Sequence, residues 1–210
     1  GRKLIADPEL PNKSAAGMAQ SIRPCIYCYI CVSQIFINKP MLCAVNTDVG
    51  REYQGDLIAS STDRGRHFAV VGGGPGGMEA ARLLATAGHR VTLFEKEPQL
   101  GGTARIAALA YEPNGGLIDY LSGELQRLKV DVQLNSPVDI AALAALNPDH
   151  VIVATGAKRE APEIPGKNLK HVFDGEEMRG LLLGGDDRGL KKLNPIKRAL
   201  VATSQALGLT

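Results

Sequence analysis

Every cysteine of the 210-residue chain falls in one stretch, Cys25-x2-Cys28-x2-Cys31-x11-Cys43. Three thiols at intervals of three can wrap one side of a compact inorganic centre, and a loop can return the fourth. Closely spaced runs of four cysteine thiolates are the usual ligand set of iron–sulfur clusters. Zinc is the main rival, since four thiolates also make common structural tetrahedra. Zinc sites more often pair two separated Cys-x2-Cys knuckles, whereas here the third cysteine follows the second after the same short gap. Disulfides or free thiols are the remaining reading. Tyr27, Tyr29 and Ile30 lie between the ligands and are expected to limit solvent access.

A second constellation is Gly72-Gly73-Gly74-Pro75-Gly76-Gly77, a Gly-x-Gly-x-x-Gly run between an apolar strand and a helix. Gly72 permits the tight turn, Gly74 lets backbone approach a pyrophosphate, and Gly77 lets the helix pack closely on the strand. The helix N-terminus then presents free N–H groups to phosphates. Alone, such a run is compatible with a structural turn. Its context strengthens it, because the next strand ends in Glu95-Lys96, where an acidic side chain accepts ribose hydroxyls. That carboxylate would repel a 2′-phosphate and so disfavours NADP at this site. Two features favour FAD over NAD. Leu100-Gly101-Gly102 permits a further backbone approach, and Ala154-Thr155-Gly156 resembles the strand-end signature beside FAD in flavin disulfide-reductase-like proteins.

The elements that must position these residues are regular only after residue 65. Phe68–Val71 reads as a buried strand. Ala80, Leu83, Leu84 and Ala87 give the helix that follows one apolar face, and Gly88 stops it. Arg90–Glu95 is the next strand. Leu117, Leu121, Leu125 and Leu128 mark another helix, Val130, Val132 and Leu134 a strand, residues 139–146 a helical turn, and His150–Ala154 a last strand. Alternating strands and helices imply an α/β fold with a Rossmann-like parallel sheet. Residues 175–210 read as helical pieces. The first 20 residues read as an apolar strand end followed by a helix with Asp7 as N-cap and Pro8 at its first position. Residues 21–64 carry the cysteines and end in a polar linker, Ser60 to Gly65. Neither N-terminal stretch is expected to bury a core alone. His67 and His89 are expected to be packing or surface residues.

Composition removes other classes. The 24 basic and 22 acidic residues leave a net charge of +2, and the basic residues are scattered rather than gathered on the stripe that nucleic-acid binding requires. No apolar run approaches the ~20 residues of a membrane span, and the N-terminal residues lack the sections of a signal peptide. The expected compartment is therefore the reducing cytoplasm, where cysteines serve better as metal ligands than as disulfides.

Arg23-Pro24-Cys25-Ile26-Tyr27-Cys28, Cys43-Ala44-Val45-Asn46 and Gly50-Arg51-Glu52 resemble the iron–sulfur segment of old-yellow-enzyme-related NADH:flavin oxidoreductases, the group of dienoyl-CoA reductase, enoate reductase and trimethylamine dehydrogenase. Actinobacterial members associated with mycofactocin gene clusters are also similar. Gly1-Arg2 and Ile5-Ala6-Asp7-Pro8 resemble the end of their FMN-binding TIM barrel, and the glycine cluster, Glu95, Gly101-Gly102 and Thr155-Gly156 resemble the adjoining FAD domain. The resemblance implies residues 1–20 as the barrel's end, 21–64 as the cluster segment, 65–175 as the FAD domain and 176–210 as a connector to an NAD(P)H domain. It implies a portion of a longer polypeptide whose barrel and NAD(P)H domain lie outside this chain. It further implies a 4Fe-4S cluster on Cys25, Cys28, Cys31 and Cys43, FAD (or ADP, as in trimethylamine dehydrogenase-like members), FMN with Arg2 on its phosphate, and NAD(P)H as donor. The implied activity is reduction of an activated C=C bond of a small molecule, or amine dehydrogenation, by a chain that can form homo-oligomers. A different class remains open, a non-catalytic adaptor joining a zinc knuckle to a nucleotide-binding domain. None of the residues present is implied as a chemical acid or base.

Overall fold

Four short apolar runs pair as a parallel sheet: β1 (His67–Val71), β2 (Arg90–Phe94), β3 (Asp131–Gln133) and β4 (His150–Val153), in the order β3-β2-β1-β4. The computed structural model describes residues 1–54, 64–157, 162–184 and 187–207, so most of the expected polar linker lies outside the described residues. They form two units, Gly1–Gly156 and Ala157–Thr210.

β1 is central, and its Ala69 and Val70 are fully buried. A parallel strand covered on both faces needs such a continuous apolar run. Among the described residues β4 pairs with β1 alone, and its Val151 and Val153 are exposed. Between β1 and β2 runs α4 (Pro75–Thr86), with Gly74 as N-cap and Pro75 in its first turn, where the missing N–H of proline costs nothing. It ends at Gly88, whose φ of +87° suits a residue without Cβ. The buried face of α4 is Gly77, Met78, Ala81 and Arg82. The expected stripe of Ala80, Leu83, Leu84 and Ala87 is only partly covered, because the small residues Gly77 and Ala81 are what allow helix and sheet to approach. Arg82 tolerates burial through a bidentate pair with Glu79, at 2.8 Å to each carboxylate oxygen.

β2 leads through α5 (Ala104–Ala110) to α6 (Pro113–Arg127), which buries Leu117, Tyr120, Leu121 and Leu125. Leu128 caps that helix rather than extending its face. α7 (Ile140–Leu146) begins at Asp139, whose side chain accepts from Ala142 N–H at 2.8 Å. The three leucines of α6, Met78 and Ala81 of α4, and Val70, Val91 and Leu93 of the strands form one core.

The N-terminal residues differ from their expected form. Arg2–Ala6 is a short helix, α1, not a strand end; an unpaired strand would leave its backbone groups without partners, which a helical turn supplies internally. Asp7 closes α1 instead of capping the next helix, and α2 (Leu10–Ala15) starts later. The Asp7 carboxylate accepts from Glu9 N–H (3.1 Å), Arg23 N–H (2.8 Å) and Lys13 Nζ (2.7 Å). A further helix that periodicity did not reveal, α3 (Ile30–Phe36), carries Cys31. These stretches were not expected to bury a core alone, and they pack on the α/β core that follows them. Ala6 and Val45 join that core, and Cys25, Ile26 and Cys43 lie against it.

In the second unit, α8 (Gly175–Leu183) opens with a reciprocal cap between Asp174 and Glu177. It is followed by α9 (Arg188–Lys192) and α10 (Pro195–Ala206). The Gln205 amide donates to the carbonyls of Gly180 and Leu181 at 2.9 and 3.0 Å, fastening α10 to the end of α8. The expected helical pieces are thus present.

Burial pushes the Asp7 carboxyl upward, but Lys13 and the N–H groups of Arg23 and Glu9 outweigh it and hold it below the usual carboxylate range. A depressed carboxyl contributes stability that is complete above its unfolded value near pH 4 and lost as pH falls through the folded value. Asp7→Asn is expected to destabilise the protein by about 1.5–3 kcal/mol at neutral pH, the range for hydrogen bonds to a charged group. The same variant should soften the loss of thermal stability below pH 4. Thermal midpoints recorded against pH for both proteins check this.

Candidate functional site

The C-terminal ends of β1, β2 and β4 meet at one crevice, at the point where strand order reverses between β1 and β4. Open α/β sheets bind their ligands there. Gly72 has φ of +112°, and a Cβ on it would stand 2.4 Å from the Ala154 carbonyl oxygen. A Cβ on Gly77 would stand 1.9 Å from the Gly72 carbonyl oxygen. Both glycines are therefore demanded by the protein's own packing. Gly74 is different: its φ is −73°, and a Cβ there would meet nothing within 4 Å. Nothing in the fold requires that glycine, so the open space over it is what a pyrophosphate cradle would use. Gly76 likewise faces open space.

Other expected residues converge on the same place. Gly101 N–H donates to the Gly73 carbonyl at 2.8 Å, and a Cβ on Gly102, itself at φ +50°, would come within 3.1 Å of Gly74 Cα. The Leu100–Gly102 loop thus closes over the glycine turn. Thr155 and Gly156 follow β4, and the Thr155 nitrogen lies against Gly72. Glu95 is buried. Its Oε2 accepts from Gly73 N–H at 2.6 Å and its Oε1 from Glu97 N–H at 2.9 Å. The carboxylate braces the turn, and ribose hydroxyls would share its remaining lone pairs. Lys96 points into solvent beside Glu97, 3.8 Å away, and is not drawn into the crevice.

The cysteine segment lies against the same core. All four thiols are free. Tyr27 and Tyr29, which alternate with the first three cysteines, both adopt left-handed backbone, with φ of +52° and +60°. For residues with a Cβ this costs roughly 1–2 kcal/mol each, and such strain gathers at functional sites. The twist turns Tyr27 N–H onto Cys25 Sγ at 3.4 Å, the type of contact that tunes thiolate ligands. Among the described residues no group of three or more His, Cys, Asp or Glu is placed to hold a metal ion. That bears equally on a zinc tetrahedron and on a cluster; what favours the cluster is the chemistry of the donor set, four cysteines in one closely spaced run. Tyr29 is 56% exposed and Cys28 is also exposed, so the expected screening by Tyr29 does not occur.

Arg2 stands beside this loop. Its guanidinium carbon lies 4.3 Å from the Tyr29 ring centroid and 5.1 Å from that of Tyr27. A hydrogen bond to Tyr29, and further the nearness of Cys25 and Cys31, raise the guanidinium above its usual value against the effect of desolvation. Its Nη1 is buried without a hydrogen-bond partner.

One set of residues was not singled out by sequence. Arg23 donates to Asn46 Oδ1 at 3.1 Å and pairs with Glu79 at 3.5 Å, while Asn46 donates to the Ile5 carbonyl at 2.9 Å. Glu79 belongs to α4, whose N-terminus forms the crevice, and Arg23 lies two residues before Cys25. This buried network ties the cysteine segment to the crevice helix. Its only signals were Arg23 and Asn46 within the quoted Arg-Pro-Cys and Cys-Ala-Val-Asn motifs. His67 lies within β1 and is buried, with Nε2 3.0 Å from Thr92 Oγ1; burial first, then Arg90, holds it below the usual histidine value. It is a packing residue, as expected.

A methyl group added to each of two neighbouring glycines separates structure from ligand. Gly77→Ala is expected to cost about 3 kcal/mol or more through the clash with Gly72. Gly74→Ala should cost about 1 kcal/mol at most, as a cap change, while weakening dinucleotide binding at least tenfold. Thermal midpoints and flavin or ADP content of the purified variants check both halves.

Residues 43–142 and 66–188 match the pyridine nucleotide-disulphide oxidoreductase family. The chain is 42% identical over 178 residues to a bilirubin reductase of Mediterraneibacter gnavus, covering 83% of this chain and 27% of that protein. It is 37% identical over 207 residues to an N,N-dimethylglycine/sarcosine dehydrogenase of Chromohalobacter salexigens, covering 97% of this chain and 29% of that one. Among solved structures, 6-hydroxypseudooxynicotine amine oxidase of Pseudomonas geniculata N1 superposes with a TM-score of 0.76 at 33% identity, covering 85% of this chain and 29% of its own. The chain thus spans under a third of the length of these relatives. Among the described residues no helix is long and apolar enough to cross a membrane. With the crevice, its glycines and these likenesses together, the chain belongs to the pyridine nucleotide-disulphide oxidoreductase family.

Proposed function

We propose that this chain is the electron-transfer portion of an oxidoreductase that draws electrons from NAD(P)H and delivers them to FMN for reduction of an activated C=C bond. The observation that carries this reading is adjacency. The dinucleotide crevice and the cysteine loop share one hydrophobic core, with Cys25, Ile26 and Cys43 packed against it, and the Arg23–Glu79 pair bridges the two. When bound, FAD would take up electron pairs and a 4Fe-4S cluster would pass electrons on singly.

The chain's own residues would do the following. Gly72, Gly74, Pro75, Gly76 and Gly77 would carry the pyrophosphate on bare backbone at the mouth of α4. Glu95 would orient the ribose while bracing Gly73, and Gly101, Gly102, Thr155 and Gly156 would leave room for the rest of the cofactor. Cys25, Cys28, Cys31 and Cys43 would ligate the cluster, which suits a reducing compartment such as the cytoplasm. Arg2 would lie on the side facing the FMN, with a donor free for its phosphate. The barrel, the NAD(P)H domain and the substrate pocket would belong to further parts of the same polypeptide.

A second reading reverses electron flow, as in amine dehydrogenation. It is favoured by the match over 97% of the chain to a relative named for dimethylglycine and sarcosine. The full-length protein assayed anaerobically with NADH plus an enoate or dienoyl thioester, and separately with a secondary or tertiary methylamine plus an electron acceptor, distinguishes the two directions.

The full-length protein purified without oxygen is expected to hold four irons, labile sulfide and a flavin in its visible spectrum. Stoichiometric zinc with a colourless nucleotide would instead favour the adaptor. Cys28→Ser should abolish cluster assembly and leave the flavin bound, since the ligand loop lies outside the sheet. Joint loss of flavin and iron in that variant would contradict the assignment.

A further inference from the structure

Four separate stretches of the chain meet on Arg23, two positions ahead of Cys25. Its backbone N–H donates to Asp7, behind α1, at 2.8 Å. Its guanidinium donates to Asn46 Oδ1 at 3.1 Å, pairs with Glu79 of α4 at 3.5 Å and lies 5.7 Å from the ring centroid of Tyr120 on α6. All of these partners belong to this chain. Arg23 and Asn46 are both buried, and the partners are themselves fixed. Asn46 donates to the Ile5 carbonyl at 2.9 Å and accepts from Asp48 N–H at 3.2 Å, while Arg82 grips Glu79 through both carboxylate oxygens.

The places that Arg23 joins bear on the cysteines. Cys25, Cys28, Cys31 and Cys43 all lie between Arg23 and Asn46 in sequence, so the Arg23–Asn46 hydrogen bond clasps the two ends of the run. Apolar contacts hold Cys25, Ile26, Cys43 and Val45 on the core, but burial is non-directional and fixes no register. A guanidinium fork is directional, and it is costly to bury without its partners. It therefore sets how the two ends face each other. We infer, on the iron–sulfur reading given above, that Arg23 is the positioning residue for assembly of the centre. By clasping Asn46 it aligns the flank of Cys25 with that of Cys43, bringing the distant fourth thiol to the other three. By pairing with Glu79 it seats the closed loop on the helix whose N-terminus forms the crevice. Arg23 acts through the backbone of its neighbours and is not itself a ligand.

The full-length protein, purified without oxygen, tests this. Iron, labile sulfide and flavin are counted per chain, iron retention is measured by competition with a chelator, and the dithionite-reduced cluster is recorded by electron paramagnetic resonance. Arg23→Gln is expected to hold its iron about tenfold more weakly, the cost of losing a group that orients metal ligands, while flavin content stays at the wild-type level. The resonance of the cluster that remains should change shape, since thiolates with an unclasped flank settle in more than one arrangement. Asn46→Ala should reproduce both effects, and the double variant should be no worse than either single one, because the two residues form one contact. Wild-type iron retention in Arg23→Gln overturns the inference. So does a wild-type resonance at reduced occupancy, which is what plain loss of stability gives, and so do single effects that multiply in the double variant. If Arg23→Gln also loses its flavin, Asn46→Ala is judged alone by the same two readouts. Zinc in place of iron in the wild type would defeat the iron–sulfur reading itself, a result distinct from an iron-loaded protein indifferent to Arg23.

Discussion

The structure turns on one contact between backbone and backbone, the approach of Gly77 to the Gly72 carbonyl. A side chain at Gly77 would drive α4 away from the end of β1, and one at Gly72 would strike the Ala154 carbonyl after β4. Only at this separation do the Gly72–Gly77 turn, the Gly101–Gly102 loop and the Thr155–Gly156 strand end surround a common space. The sheet supplies rigidity, since β1 is central and buried, and the glycines let the turn and the two loops close on that open space. Glu95 adds a second constraint from β2: by accepting from Gly73 N–H it fixes the turn before any ligand arrives.

A second layer of organisation joins the N-terminal residues to that cradle. Asp7, Arg23, Asn46 and Glu79 are polar and largely buried, and each is satisfied by another member or by backbone. Such networks specify one arrangement because every alternative leaves a charge without a partner. The cysteine loop therefore owes its place to Arg23 and Asp7 as well as to Cys25, Ile26, Cys43 and Val45 on the core, while Ile35, Phe36 and Ile37 remain exposed.

Much of this was legible before any coordinates. The strands from β1 to β4, the helices over Pro75–Thr86 and Pro113–Arg127, and the α/β class followed from periodicity and turn chemistry. The tight turn at Gly72 and Gly77 was legible for the same reason, since glycine at a strand-to-helix turn has a backbone meaning that survives translation into structure. Lys96 shows that adjacency in sequence to a buried residue says little of burial, since it stands in solvent beside Glu97 while Glu95 is covered. The first 20 residues misled as well: Leu4 and Ile5 suggested a strand, but strand formation depends on a partner that sequence pattern cannot supply. Long-range polar contacts such as Arg23 with Glu79 carry no periodic signal at all. The helix Ile30–Phe36 was hidden because its length allows barely two turns, too few for an amphipathic stripe.

The exposed valines of β4 have a practical corollary. A strand that among the described residues has a neighbour on one side alone, and whose Val151 and Val153 are exposed, is a template for intermolecular sheet growth. Recombinant production of this stretch in isolation would therefore favour insoluble assemblies, whereas a neighbouring element laid along that rim would keep it dispersed.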